Sequence, residues 1–171
     1  MGDSSILDIY LQNKLIDLCK CQNQKWNLNY RATRDGFSSK SFHLACNKVP
    51  NTLTVIKANN GNIFGGFTTK PWRSDNTISN DPESFIFSLV NKNYKPFTAE
   101  VLNGGKKVIL CKEDLGPVFG DDLRIGTDSN SNQNSSSNLG KSYRLPKCLK
   151  ESVLAGTTYF KTIDIEVFSK A

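Results

Sequence analysis

The sequence predicts a β-rich α+β fold: a two-sheet antiparallel β-sandwich flanked by a few short helices. Three observations lead there. Short apolar runs, several rich in β-branched residues, recur from Trp26 to Val167, and Gly, Pro and Asn punctuate them as turn signals. Helical patterns are too few and too unevenly placed to build the repeated βαβ units of a parallel sheet. With 171 residues, 37% hydrophobic and 22% charged, the chain has the size and composition of one domain. It can bury a core without metal or disulfide support.

The first element reads as a helix. Leu7, Leu11, Leu15 and Leu18 recur at helical spacing, with Asp3 or Ser4 as the capping side chain. Residues 1–25 are expected to form a helical segment packing on a domain of residues 26–171, within one globular unit. From Trp26 the period changes to two. Trp26, Leu28 and Tyr30 alternate with Asn27, Asn29 and Arg31 as in a half-buried strand. Asp35-Gly36 makes a turn, and Ser38 caps a short helix that points Phe42 and Cys46 inward.

Thr52–Lys57 and Ile63–Thr68 flank the turn signal Asn59-Asn-Gly-Asn62 and should pair as a hairpin. Ser84–Val90 is apolar without alternation, as for a strand covered on both faces. Val108–Cys111, Val118-Phe119 and Asp122–Ile125 continue the series. Thr162–Val167 closes it, with Ile163, Ile165 and Val167 expected on one face. Asp128–Asn138 is built of Asn, Ser, Asp and Gln. Composition alone makes it a solvated loop; hydrogen bonds among its short side chains would instead order it along the sandwich edge.

The net charge of +6, from 22 Lys and Arg against 16 Asp and Glu, favours acidic partners. Lys141, Arg144, Lys147 and Lys150 form its one concentration, either a solvated loop or a docking patch. No export signal and no membrane-length apolar run occurs, so a cytoplasmic or nuclear location is expected. Five irregularly spaced cysteines and one histidine fit a reducing compartment and argue against structural zinc. No metal or cofactor is called for. A monomer is the default.

Candidate chemistry is sparse. Phe64-Gly-Gly-Phe67 sits inside a strand pattern with no Lys-Ser/Thr and no helix after it. Close approach of backbones explains the glycines better than a phosphate cradle. Asp121, Asp122 and Asp128 lack the alternating spacing of a calcium loop and suit turns. His43 and Cys46 could share a helix face, with Glu166 orienting the imidazole. The structural reading, a histidine beside core-facing Phe42 and a buried cysteine, is favoured. Cys19 and Cys21 are the candidate redox thiols, although a helix C-terminus opposes thiolate formation.

A run of short motifs resembles the TLDc family. It opens with Tyr30-Arg-Ala-Thr-Arg-Asp-Gly-Phe37, Phe42-His43 and Cys46, followed by Gly61-Asn-Ile-Phe-Gly-Gly-Phe67, Pro71-Trp72 and Asp81-Pro82. Phe85–Leu89, Gly116-Pro-Val-Phe-Gly120, Ser137-Asn-Leu-Gly140, Leu154-Ala-Gly156 and Ile165–Phe168 complete the order, over roughly residues 5 to 169. The resemblance implies two face-to-face antiparallel sheets. It also implies a role in oxidation resistance, without secure catalysis, and for several members binding and regulation of the vacuolar-type proton-pumping ATPase. Fuller members carry TBC or LysM regions, for which these residues leave no room, and the basic run has no counterpart in the family pattern. The expected function is therefore a non-enzymatic interaction module. The alternatives are a nucleic-acid-binding regulator using the basic surface and a thiol-based peroxide scavenger.

Overall fold

The computed structural model describes residues 1–92 and 95–171. Its first sheet holds β1 (Trp26–Arg31), β2 (Thr52–Ala58), β3 (Ile63–Thr68), β5 (Phe85–Val90), β6 (Phe97–Glu100) and β12 (Thr162–Lys170). The second holds β4 (Ile78–Ser79), β7 (Ile109–Leu110), β8 (Leu115–Phe119), β9 (Leu123–Gly126), β10 (Ser135–Ser137) and β11 (Tyr159–Phe160). Strand order is β1-β12-β2-β3-β5-β6 in one and β11-β10-β9-β8-β7-β4 in the other. The pairings within both sheets are antiparallel. Helices α1 (Ile9–Leu18), α2 (Ala32–Asp35) and α3 (Ser39–Cys46) flank them. This is the β-sandwich that the punctuated apolar runs predict.

The main core lies between the sheets, around Tyr30, Phe42, Phe64, Trp72, Phe119, Tyr143 and Val167. A second core covers the outer face of the first sheet. There Leu15 of α1, with Ile6 and Leu7 before it, packs on Trp26, Leu53, Val55, Phe87 and Phe168. The first sheet is thus covered on both faces, which is why β2 and β5 read as continuous apolar runs. Gly65 and Gly66 permit close contact: a Cβ would meet the Thr54 carbonyl oxygen at 1.9 Å and the Phe119 ring at 2.8 Å, respectively.

Several local expectations need correction. The cap of α1 is Asp8, whose carboxylate accepts from Leu11 N at 2.8 Å. Ser4 Oγ instead accepts from Leu7 N in the preceding turn, because Ile6 and Leu7 enter the second core before the helix begins. In β1 the register shifts between Leu28 and Tyr30. Trp26 and Leu28 therefore join the second core while Tyr30 joins the main one. Another irregularity between Thr162 and Asp164 leaves Ile163 48% exposed, away from Ile165 and Val167 in the main core. An extra residue in one strand reverses which face the following side chains take.

The Asn/Ser segment is anchored at three of its serines, while Asp128, Asn130, Ser131, Gln133 and Asn134 are exposed. Ser129, Ser135 and Ser137 are fully buried. Ser129 Oγ lies 2.7 Å from Thr162 Oγ1, and Gly126 N donates to Ser135 Oγ at 3.1 Å. Small side chains suit β10, which is paired on both sides by β9 and β11 and has little space around it. At α3 the expectation holds: Ser38 Oγ accepts from Ser41 N at 3.1 Å, and Phe42 and Cys46 are buried.

Candidate functional site

His43, on α3, is held on both sides of its ring. Nδ1 lies 2.8 Å from Asn47 Oδ1, and Nε2 donates to the carbonyls of Lys112 at 2.8 Å and Leu115 at 3.0 Å. The imidazole thereby ties α3 to the turn entering β8. Cys46, one turn on, is fully buried in the main core, and burial pushes its thiol pKa up.

Glu166 is fully buried in β12. It accepts from Ser5 N at 2.7 Å, Ser5 Oγ at 3.0 Å, Arg31 Nε at 2.9 Å, and the Ser4 hydroxyl. Asp164, two residues earlier, binds Thr33 N and Oγ1 and the Ser5 hydroxyl. The Arg31 guanidinium also donates to the Asp3 carbonyl. None of His43, Cys46 and Glu166 hydrogen-bonds to another. Each is engaged in holding segments of the sandwich together.

Beside His43 lies an open groove of about 990 Å³, bordered by Lys40 and Leu44 of α3, Ser74, Asn76, Glu113 and Asp114. Leu44 is 88% exposed at its edge.

Cys19 caps the C-terminus of α1, and the Cys21 thiol lies 3.7 Å from the Ile16 carbonyl. Burial raises the pKa of both, most for Cys19, with Cys21 adding to it; nearby Lys170 pulls Cys21 back in part. Neither is poised as a thiolate at neutral pH. Cys148 is the exposed thiol; it lies inside the basic run, where no helical or strand pattern marked it.

Lys141, Arg144, Lys147 and Lys150 are all exposed, and none forms an ion pair among the described residues. Their segment starts from a buried anchor. The Asp122 carboxylate, 1% exposed, accepts the backbone N–H groups of Gly140 (2.7 Å), Lys141 (3.0 Å), Ser142 (2.6 Å) and Tyr143 (3.2 Å). Burial pushes its pKa up, and the four N–H bonds pull it back. Tyr143 is fully buried, with its hydroxyl 2.8 Å from Ser84 Oγ. The base of the basic run is rigid while its cations face solvent.

Among the described residues, no group of three or more His, Cys, Asp or Glu side chains is placed to hold a metal ion. Among the described residues, no helix is long and apolar enough to cross a membrane.

The model of the TLDc domain matches residues 1–170. The chain belongs to the TLDc domain family. Compared one by one with the curated proteins, it matches none. The match begins at residue 1, so in this TLDc domain the N-terminal strap and α1 lie inside the matched region, along with the second core they cover. Asp122 in its anchoring role is what reading the sequence missed. Its partners lie 18 to 21 residues further on, and no local pattern announces a carboxylate that collects backbone donors across such a gap.

Proposed function

We propose that this TLDc domain is a non-enzymatic interaction module in oxidative-stress protection, docking on an acidic face of a larger assembly. The vacuolar-type proton-pumping ATPase is the partner that the family resemblance suggests. The observation that carries the reading is the basic run from Lys141 to Lys150: four exposed cations without acid partners among the described residues, rising from a base pinned by Asp122. A preformed charged surface loses little conformational freedom on binding, and it steers an oppositely charged partner.

The candidate catalytic side chains support the same reading, since His43 and Glu166 spend their polar atoms on internal bonds. Nucleic-acid recognition is less favoured. Tyr143, the aromatic interleaved in the basic run, is buried and offers no stacking face. Peroxide chemistry through Cys19 or Cys21 is disfavoured by the raised thiol pKa values.

The test is binding of the purified protein to the purified cytosolic sector of the pump. Parent protein is compared with the variant in which Lys141, Arg144, Lys147 and Lys150 are all alanine. The proposal expects saturable binding that weakens about tenfold or more in the variant and declines with salt. No binding by the parent refutes the partner. Equal binding by parent and variant refutes the surface, and tight, salt-sensitive binding to DNA or RNA instead of the pump moves the function to nucleic acid.

A further inference from the structure

The strap before α1 is fastened to the sandwich by two serines and two acids. Ser5 donates its backbone N–H to Glu166 at 2.7 Å, and its hydroxyl lies 3.0 Å from Asp164 Oδ2 and 3.0 Å from Glu166 Oε1. The Ser4 hydroxyl donates to the other Glu166 oxygen. Beyond these tethers Ile6 and Leu7 are buried in the second core. Asp164 and Glu166 are buried in β12, yet Ser5 itself is exposed. Its hydroxyl is a surface group whose hydrogen bonds reach into the protein.

Charge around this tether is unbalanced. Glu166 pairs with the Arg31 guanidinium. Asp164 forms no ion pair among the described residues and is held by neutral donors, the Thr33 N–H and hydroxyl, the Ile165 N–H and the Ser5 hydroxyl. Arg34, on the neighbouring helix α2, is already bound to Asp35. Two carboxylates thus face one engaged guanidinium. A phosphate on Ser5 would add about −1.5 to −2 of charge beside them and remove the hydroxyl proton that bridges serine and acid.

The sequence around Ser5 suits a kinase that selects acidic segments. Asp3 stands two residues before it and Asp8 three after, and no Lys or Arg precedes Lys14. A basic substrate groove complements that pattern. The strap, fastened at its surface end by a few polar bonds, can open locally without the sheets.

We propose that Ser5 is a phosphorylation site for an acid-directed serine kinase, and that its phosphate releases the strap from the sandwich. Ser5 Oγ attacks the γ-phosphorus of the kinase's ATP. The new O–P bond forms as the bond to the β-phosphate oxygen breaks, ADP leaves, and the hydroxyl proton passes to the kinase's base. Phosphoserine cannot donate to Asp164, and it is repelled by both carboxylates. The strap moves away, taking Ile6 and Leu7 with it and uncovering part of the second core. The site is separate from the basic run and does not depend on the partner proposed above.

The test treats the purified protein with casein kinase 2 and ATP. Mass spectrometry should place the phosphate on Ser5, and amide hydrogen exchange at Leu7, whose N–H donates to Ser4 Oγ at 2.9 Å, should accelerate about tenfold or more. The amides of β2 and β12 keep their protection, which shows that the sheet is intact. Two variants separate charge from the loss of a hydroxyl: without kinase, Ser5→Glu accelerates Leu7 exchange about tenfold beyond Ser5→Ala. Ser5 left unmodified by the kinase, phosphorylated Ser5 with Leu7 still protected, equal exchange in the two variants, or protection lost throughout β2 and β12 would overturn the proposal.

Discussion

Replacing Asp122 with alanine removes the acceptor of four backbone N–H groups at once. Those of Gly140, Lys141, Ser142 and Tyr143 approach the carboxylate within 2.6 to 3.2 Å. A hydrogen bond to a charged acceptor contributes about 1.5–3 kcal/mol net, and a buried donor left unpaired costs about 1–3. The four are not additive, because they share one carboxylate and its burial offsets part of the gain. The expected loss is about 3–5 kcal/mol, a large part of the roughly 5–15 kcal/mol that holds a domain folded.

Asp122→Asn keeps an acceptor for Gly140, Lys141 and Tyr143 but turns an NH₂ toward the Ser142 N–H, and should lose roughly half as much. Urea unfolding measures both variants. Amide hydrogen exchange at residues 140–143 should accelerate in the alanine variant before global unfolding. An alanine variant within about 1 kcal/mol of the parent, with those amides still protected, would show that the basic run is held by something else.

Two further outcomes are expected. Stability should fall steadily above about pH 9. Burial raises the Cys19, Cys46, Tyr30 and Tyr143 pKa values above their ordinary 9.0 and 10.0, so the folded state keeps protons that the unfolded chain releases. The contribution is complete below the unfolded values and is lost as pH rises toward the folded ones, by roughly 1.4 kcal/mol per group for each pH unit in that window. A urea midpoint equal at pH 8 and pH 10.5 would contradict this. Under native conditions a thiol-alkylating reagent should label Cys148 first, Cys21 slowly, and buried Cys46 and Cys111 only on denaturation. Mass spectrometry of the labelled peptides reads the order, and early labelling of Cys46 would mean the main core opens.

The local elements were legible because local chemistry decides them. The hairpin of β2 and β3 follows from β-branched runs around Asn59-Asn-Gly-Asn62. The start of α3 follows from a serine placed to cap it. Face assignment was less legible. In β1 and β12 one irregular residue hands Tyr30 to the main core and turns Ile163 to solvent, and alternation read along a strand is blind to a bulge that depends on its partner's register.

The sequence alone determined the sandwich, its hairpin and capped helix, and the family, since these rest on period, turn chemistry and ordered short motifs. Only the tertiary structure decided what the polar side chains do. Ser5 meets Glu166 from 161 residues away, Ser129 meets Thr162 from 33, and Asp122 gathers donors from 18 to 21 residues on. A buried hydrogen bond takes its partner from whatever backbone the sheets bring within about 3 Å, and that neighbour is chosen by packing in space, not by position along the chain.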